Sequence, residues 1–260
     1  MKFTLIGNGF IAPKHIDAIS HVGGELVAVC DLDESKKVEG IPFFTDYKEA
    51  IKEAEFVSIA TPNDTHAEII LECARRGKKI LSEKPITFKL EEIRLLSGVP
   101  KLFGTFQLRH LPELNEMRKL ARNAKEAKLV VEMKRSHTYH QTWKGDPLRT
   151  GGLMVNIGCH YVDLLGHLFG YHPISIGSKV SETLAYGGFV GRSGVGVHWR
   201  IELTEEKPTY ERSLTIDGVK FDLVQKENLH RKVYEDFVWG QGTSVFEEEK
   251  ILKMIHALIL

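Results

Sequence analysis

Short apolar segments alternate with helical segments through the first third of the chain, and this alternation limits the fold most strongly. The segments predicted as buried strands are Lys2–Ile6, Leu26–Cys30, Phe56–Ala60 and Lys79–Ser82. One helix is predicted to end at about His21, and a second is predicted over Thr65–Arg76, with Gly77 as its stop. Strand–helix–strand units connect through right-handed crossovers, which place successive strands parallel to one another. The pattern therefore predicts an α/β fold with a parallel, doubly wound sheet.

A glycine-rich turn follows the first predicted strand. Gly7 permits a tight turn, Gly9 lets the backbone approach a pyrophosphate, and Ala12 lets the next helix pack closely on the strand. Asp31 stands at the end of the second predicted strand, where a carboxylate accepts hydrogen bonds from the adenosine ribose and repels a 2′-phosphate. This arrangement predicts a dinucleotide site that prefers NAD to NADP. The alternative is that Asp31 only begins the turn over Asp31–Ser35.

The composition excludes several classes of function. Lys and Arg total 35 and Asp and Glu total 35, so no net charge attracts nucleic acid or an anionic membrane surface. No apolar run approaches the ~20 residues that span a bilayer, and the N-terminal segment lacks the features of a signal peptide. The three cysteines are far apart and form no CxxC pair, which argues against a disulfide framework or a zinc cluster. We expect a cytoplasmic protein that binds a small molecule and neither nucleic acid nor a membrane.

The second half of the chain has a different pattern. Phe106–His110 is predicted as the last strand of the first domain, with Arg109 at its functional edge, and Pro112–Ala124 is predicted as a helix. The later segments predicted as antiparallel strands include Ile174–Val180, Val195–Leu203, Ser213–Ile216 and Lys220–Leu223. We therefore expect a dinucleotide-binding domain over residues 1–110 and a substrate and oligomerisation domain over residues 111–260.

A polar stripe interrupts the otherwise apolar helix predicted over Leu153–Phe169. Asn156, His160, Asp163 and His167 are spaced by four, three and four residues, which places them on one helix face. The residues leave three interpretations open: a hydrogen-bonded core network, a metal site made from the last three, or a catalytic histidine with a substrate ligand beside it. No further Cys or His spacing supports a metal, so none is predicted. For Asp163 and His167 we favour the structural interpretation.

Several segments, taken together and in order, resemble the glucose–fructose oxidoreductase / inositol dehydrogenase / MocA family. They are Gly7–Ala12, Ala60–Asn63 with His66, Gly77–Lys79, Glu83–Pro85, and Gly151–Gly152 followed by Gly158 and His160. The resemblance implies a Rossmann domain joined to an α/β domain with an open, mostly antiparallel sheet. It also implies that Lys84 contacts both the cofactor and the reacting hydroxyl, and that His160 is catalytic.

The cofactor site implied by this resemblance extends over several loops. Its predicted members are Gly7, Gly9, Phe10, Ile11, Asp31, Thr61, Pro62, Asn63, His66, Glu83 and Lys84. Lys84 follows the strand Lys79–Ser82, and the carboxyl ends of strands line the ligand crevice of a doubly wound sheet.

Within the family, Trp143–Asp146 and Asn156–Gly158 resemble the UDP-N-acetyl-2-amino-2-deoxyglucuronate dehydrogenases of surface-polysaccharide biosynthesis. These enzymes oxidise the 3-hydroxyl of the sugar to a ketone. The predicted substrate ligands are Arg109, Lys144, Asn156 and His160, and the resemblance implies a homo-oligomer, a dimer or a tetramer. Two alternatives stay open: a dehydrogenase of a free sugar or cyclitol, and a catalytically silent sensor that binds dinucleotide and a protein partner. A silent sensor would be expected to lose its acid–base residues, whereas Lys84 and His160 are both present.

Overall fold

The computed structural model describes residues 1–205, 210–224 and 227–259, with only the backbone of His137, and the chain divides into two compact units. Unit 1 comprises Met1–Gln107 and Glu227–Glu249, and unit 2 comprises Leu108–Lys226 and Lys250–Leu260. The predicted division into 1–110 and 111–260 kept each domain continuous. The structure instead assigns a C-terminal segment, residues 227–249, to the first unit.

Unit 1 is built on a seven-stranded sheet. Its strands are β1 (Lys2–Ile6), β2 (Glu25–Cys30), β3 (Phe43–Phe44), β4 (Phe56–Ile59), β5 (Lys79–Ser82), β6 (Leu102–Gly104) and β13 (Thr243–Ser244). They lie in the order β13-β6-β5-β4-β1-β2-β3, and every neighbouring pair is parallel except β13 with β6. The predicted parallel, doubly wound sheet is therefore confirmed.

Helices cover this sheet, and one of them explains why residues 227–249 belong to unit 1. The helices are α1 (Ala12–His21), α2 (Tyr47–Ala50), α3 (His66–Arg75), α4 (Leu90–Leu96) and α9 (His230–Val238). Tyr234 and Phe237 of α9 are fully buried with Phe3 and Phe56 of the sheet in one apolar cluster. The Phe3 and Phe56 rings stack with centroids 4.7 Å apart, and Phe237 meets Phe56 edge to face. Burying aromatic rings of this size fixes α9 on the first unit although it comes late in the sequence.

Unit 2 is built on a six-stranded, mostly antiparallel sheet. Its strands are β7 (Glu126–Lys134), β8 (Ile174–Val180), β9 (Leu184–Val190), β10 (Gly196–Thr204), β11 (Arg212–Ile216) and β12 (Val219–Asp222). Only β10 with β7 is parallel in the order β12-β11-β7-β10-β9-β8. The β11–β12 hairpin turns at Asp217 and Gly218, which both have positive φ, as a tight hairpin turn requires.

The remaining helices are α5 (Leu114–Ala121), α6 (His137–His140), α7 (Pro147–Thr150), α8 (Cys159–Phe169) and α10 (Val245–Ile259). The division between the units at residues 249 and 250 falls within α10. Among the described residues, no helix combines the length and the apolar composition that a bilayer crossing needs.

One sequence-based prediction of local structure was wrong, and a second is confirmed with a change of helix type over five residues. Phe106–His110 is not the last strand of unit 1. The strand that follows β5 is Leu102–Gly104, which pairs with β5 up to Ser82, and Gln107–His110 forms a 3₁₀ helix. Strand pairing ends where β5 ends, so Phe106 and Leu108 are buried but do not belong to a strand. The predicted helix over Leu153–Phe169 is helical throughout, but Met154–Gly158 is a π-helix that leads into α8.

Candidate active site

The loops after β1 and β4 meet where the strand order of unit 1 reverses, between β4 and β1. Gly7 has φ +92°, and a Cβ atom there would lie 2.5 Å from the carbonyl oxygen of Ala60. A side chain at Gly7 is therefore excluded by both backbone conformation and contact. At Gly9 a Cβ atom would meet no atom of the described residues within 4 Å, so this backbone is open to a ligand. Phe10 beside it is 90% exposed. The reversal point is the position at which doubly wound sheets bind nucleotides.

The Asp31 carboxylate is fixed beside this glycine turn. The backbone N–H of Asn8 donates to Oδ2 of Asp31 at 2.8 Å, and the N–H of Asp33 donates to Oδ1 at 3.0 Å. The Lys36 ammonium lies 3.2 Å from both carboxylate oxygens. The carboxylate is thus pre-oriented at the end of β2, where the adenosine ribose was predicted to bind.

His66 joins the two loops that follow β4 and β5. Its Nδ1 lies 2.8 Å from the carbonyl oxygen of Pro85, and its Nε2 lies 2.9 Å from that of Thr61. The side chain is fully buried, and burial lowers the pKa of His66 although both carbonyls favour the charged form. We predicted that His66 contacts the cofactor. Its burial and its two backbone contacts make it a bridge between the loops that carry Thr61–Asn63 and Glu83–Pro85, and its contact with the cofactor stays a prediction.

Glu83, Lys84 and Pro85 follow β5, and the Lys84–Pro85 peptide bond is cis. Oε1 of Glu83 lies 3.1 Å from Nε2 of His15 and 3.2 Å from Nε2 of His230. Burial by itself would raise the pKa of Glu83, but the two histidines outweigh burial and hold that pKa well below its usual range. Glu83 is therefore an ionised carboxylate held by two side chains that the sequence analysis did not single out. Its predicted contact with the cofactor stays a prediction.

In unit 2, the polar stripe of the predicted helix has separated into different environments. Asp163 is fully buried, and Arg109 donates to it from Nε at 2.9 Å and from Nη2 at 2.7 Å. The Tyr171 hydroxyl donates to Oδ1 of the same carboxylate at 2.8 Å. These contacts give Asp163 the structural role that we favoured. They use two of the five N–H donors of Arg109, and its predicted role as a substrate ligand stays a prediction.

The contacts of Asp163 and His167 do not favour the alternative of a metal site made from His160, Asp163 and His167. Both oxygens of Asp163 are taken by Arg109 and Tyr171, and Nε2 of His167 accepts from Nε of Arg118 at 3.1 Å. His160 lies half-buried in the first turn of α8, directly after the π-helix. Single-turn π segments inside helices occur frequently at functional sites.

Lys144 and Asn156 line the same cavity of unit 2, together with Tyr139 and Glu182. Nδ2 of Asn156 lies 3.4 Å from the Tyr139 hydroxyl. The Tyr139 ring also has Lys144 Nζ 5.7 Å and Arg135 Cζ 5.0 Å from its centroid. One aromatic ring thus gathers two cations beside an amide, an arrangement suited to an anionic ligand with hydroxyl groups.

Two parts of the chain match one protein family. Residues 1–98 match the NAD-binding Rossmann fold of the GFO/IDH/MocA oxidoreductases, and residues 119–177 match the C-terminal alpha/beta domain of the same family. The chain belongs to the GFO/IDH/MocA oxidoreductase family. The predicted family and fold class are confirmed, and unit 1 contains the NAD-binding Rossmann domain of this family.

Curated relatives in the family differ in substrate. Glucose-6-phosphate 3-dehydrogenase of Bacillus subtilis is 28% identical over 187 residues, covering 65% of this chain and 53% of that protein. Inositol 2-dehydrogenase of Rhizobium meliloti is 30% identical over 194 residues, covering 68% of this chain and 57% of that protein. The chain therefore spans little more than half the length of these curated relatives.

Solved structures match over nearly the whole chain. The WlbA (WbpB) dehydrogenase from Thermus thermophilus, in complex with NAD and UDP-GlcNAcA, has a TM-score of 0.84 at 29% identity, covering 98% of this chain and 93% of that chain. The WlbA dehydrogenase from Bordetella pertussis, in complex with NADH and UDP-GlcNAcA, has a TM-score of 0.84 at 23% identity, covering 99% of this chain and 95% of that chain, and shares the fold.

Proposed function

We propose that this protein is an NAD-dependent dehydrogenase that oxidises the 3-hydroxyl of a UDP-sugar uronate of the UDP-N-acetylglucosaminuronate type. The observation that carries the proposal is the cavity of unit 2, where Lys144, Tyr139 and Asn156 combine a cation, an aromatic ring and an amide. A nucleotide-sugar uronate is a polyanion, and its diphosphate and carboxylate need cationic partners. The likeness to the Thermus thermophilus WlbA dehydrogenase, solved with NAD and UDP-GlcNAcA, supports the same substrate class.

In the proposed reaction, the carbinol loses a hydride and a proton and becomes a ketone. NAD, when bound, accepts the hydride. Lys84 and His160 are the proposed acid–base residues: Lys84 polarises the reacting hydroxyl, and His160 takes its proton and returns it to solvent. Asn156, two residues before Gly158 at the end of the π-helix, would hold the sugar by hydrogen bonds.

A second candidate is a dehydrogenase of a free sugar, a sugar monophosphate or a cyclitol. The relatives named glucose-6-phosphate 3-dehydrogenase and inositol 2-dehydrogenase favour this alternative. Such a site needs no cationic partner for a nucleoside diphosphate. The Glu182 carboxylate in the same cavity would accept hydrogen bonds from the hydroxyl groups of a sugar, whereas it would repel the phosphates or the carboxylate of a UDP-sugar uronate.

The deciding experiment measures NADH formation by the purified protein with UDP-N-acetylglucosaminuronate, glucose 6-phosphate, inositol and glucose. A change in bound-cofactor absorbance replaces the NADH signal if the reduced cofactor is not released. We expect turnover only with the UDP-sugar. Turnover of a polyol without any response to the UDP-sugar would refute the nucleotide-sugar proposal and establish the second candidate.

Lys144→Met is expected to raise KM for the UDP-sugar by about tenfold or more, because a charge-assisted contact to a phosphate or carboxylate is lost. Met keeps an unbranched side chain and removes the ammonium, which lies 5.7 Å from the Tyr139 ring centroid and 5.9 Å from that of Trp143. Lys119→Met, on the exposed face of α5, is the matched control and should leave KM unchanged. Equal KM values for Lys144→Met and the unmodified protein would remove Lys144 from the substrate site.

Asp31→Ala is expected to narrow the preference for NAD over NADP by about tenfold or more. The substitution removes the carboxylate that repels a 2′-phosphate and leaves the Lys36 ammonium, now 3.2 Å from Asp31, without its partner. Titration of both cofactors by intrinsic fluorescence measures the change. Asp33→Ala, two residues further on in the same turn, serves as the control and should leave the preference intact. Tighter binding of NADP by the unmodified protein would contradict the role given to Asp31.

A further inference from the structure

A chain of hydrogen bonds runs through the interior of unit 1 and ends at Glu83. The Ser58 hydroxyl of β4 contacts the Tyr234 hydroxyl of α9, and that hydroxyl lies 2.9 Å from Nδ1 of His15 in α1. Nε2 of His15 contacts Oε1 of Glu83 at 3.1 Å, and Nε2 of His230 contacts the same oxygen at 3.2 Å. Four of these side chains are fully buried, and Glu83 is 13% exposed.

The following arrangement of protons is compatible with every contact in this chain. Both histidines donate from Nε2 to the Glu83 carboxylate. His15 then accepts from the Tyr234 hydroxyl at Nδ1, and Tyr234 accepts from Ser58. Burial lowers the pKa of His230 against the pull of Glu83, which keeps its imidazole neutral. The network therefore aims the Nε2 atoms of two buried imidazoles at the one carboxylate of Glu83.

The position of Lys84 gives this network a consequence. Lys84 lies between two residues whose positions are each set by buried histidines. Glu83 is held by His15 and His230, and the carbonyl of Pro85 is held by His66. The backbone on both sides of Lys84 is thus anchored to the interior, while Lys84 itself stays half-exposed.

We propose that His15 and His230 are positioning residues that hold Glu83 and thereby place Lys84 for reaction. The inference rests on the catalytic role of Lys84 in the proposed function, and it does not depend on which alcohol is oxidised. A buried carboxylate is costly, and apolar side chains of the same volume would hold α1 and α9 on the sheet without that cost. Precise placement of a reacting group is what such a charge can supply, because misplacement by about 1 Å can cost 10²-fold in rate.

The same three side chains also have the donor types of a metal site. The candidate ligand atoms of His15, Glu83 and His230 lie within 4.8 Å of one another. A bound divalent cation would replace the two Nε2 protons and make the imidazoles ligands rather than donors. Metal content therefore belongs to the test.

The test compares His230→Gln with His230→Leu in the full-length protein. Gln places an N–H close to the position of Nε2 and can still donate to Glu83, whereas Leu has similar bulk and no donor. We expect Leu to lower kcat by about 10–100-fold and Gln to restore it to within about threefold of the unmodified protein. NAD affinity should be unchanged in both variants.

A further readout separates positioning from a merely structural role. With substrate deuterated at the carbinol carbon, the primary isotope effect on kcat should rise in His230→Leu, because the chemical step becomes slower. A fall in the amount of folded enzyme alone lowers kcat without changing the isotope effect. Tyr234→Phe removes the hydroxyl that orients His15 and keeps the ring packed against Phe3 and Phe237. Tyr234→Phe should lower kcat by about 3–10-fold and raise the primary isotope effect, as His230→Leu does. If His230→Leu does not fold, the measurement on Tyr234→Phe replaces it.

Lys84→Met, measured beside these variants, distinguishes the two ways of failing. If Lys84→Met keeps full turnover, the catalytic assignment fails and the positioning inference fails with it. If Lys84→Met loses turnover while His230→Leu and Tyr234→Phe keep kcat and isotope effect, only the positioning inference is overturned. Stoichiometric metal in the purified protein that is lost from His230→Leu would also overturn it, because the network would then be a metal site.

Discussion

Lys84→Met and His160→Asn are each expected to lower turnover by about 10²–10⁴-fold, the range that a positioned acid or base contributes. Neither replacement can accept or donate a proton in the way the native side chain does. Each keeps much of the native volume, so packing around α8 and the loop after β5 should survive. Steady-state kinetics with the substrate that the unmodified protein turns over measures the effect.

Matched controls lie close to both residues. Lys89 stands five residues after Lys84, and Lys89→Met removes an ammonium that lies 2.9 Å from the Glu92 carboxylate. His167 lies on α8, as His160 does, and His167→Asn removes an imidazole that contacts Arg118. Both controls should keep turnover within about threefold of the unmodified value, because exposed ion pairs and single hydrogen bonds contribute little to a distant reaction.

NAD binding provides the second half of this test. If the two residues act on the reacting hydroxyl, the Kd for NAD should change little in either variant. Wild-type turnover by Lys84→Met or His160→Asn would remove that residue from the proposed mechanism. A loss of NAD affinity that accounts for the whole loss of activity would make it a cofactor ligand instead.

The parts of the fold that local residues determine were predictable from sequence. The predicted bounds of β1 and β5, Lys2–Ile6 and Lys79–Ser82, agree with the structure residue for residue. Gly7 was predicted to permit a tight turn. Its positive φ, and the 2.5 Å that would separate a Cβ atom there from the carbonyl oxygen of Ala60, show why this turn needs glycine. These features depend on side-chain periodicity and on backbone conformation within a few residues.

The parts that depend on distant partners were not predictable. Phe106 and Leu108 are buried, as residues of a strand would be, but the strand that could pair with them ends at Ser82. His15 and His230 are 215 positions apart, and only the fold brings both onto Glu83. His15 did carry one local signal: it shares the buried face of α1 with Ala12 and Ile19, and a buried imidazole on an apolar face requires a partner. Nothing in the sequence identified that partner.

Asp163→Asn is expected to destabilise unit 2 by about 2–4 kcal/mol, because it removes the negative charge that pairs with the Arg109 guanidinium in a mostly buried setting. The amide keeps one acceptor oxygen, but its NH₂ group faces a guanidinium N–H, so one of the two native contacts becomes repulsive. The side chains of Arg109 and Asp163 are 15% and 0% exposed, so water cannot replace the lost partner.

Asp17→Asn offers a control with the same chemistry at the surface. Arg231 donates to Asp17 from Nε at 2.8 Å and from Nη2 at 2.6 Å, the atoms that Arg109 uses for Asp163. Those side chains are 48% and 39% exposed, and exposed pairs typically contribute about 0–1 kcal/mol. Urea denaturation measures the free energy of unfolding, which should therefore fall much more in Asp163→Asn than in Asp17→Asn. Hydrogen exchange should show the loss of protection in α8 for Asp163→Asn and in α1 for Asp17→Asn. Equal effects would mean that burial does not set the strength of the Arg109–Asp163 pair. A stable Asp163→Asn protein that loses turnover would instead place Asp163 with His160 in the proposed chemistry.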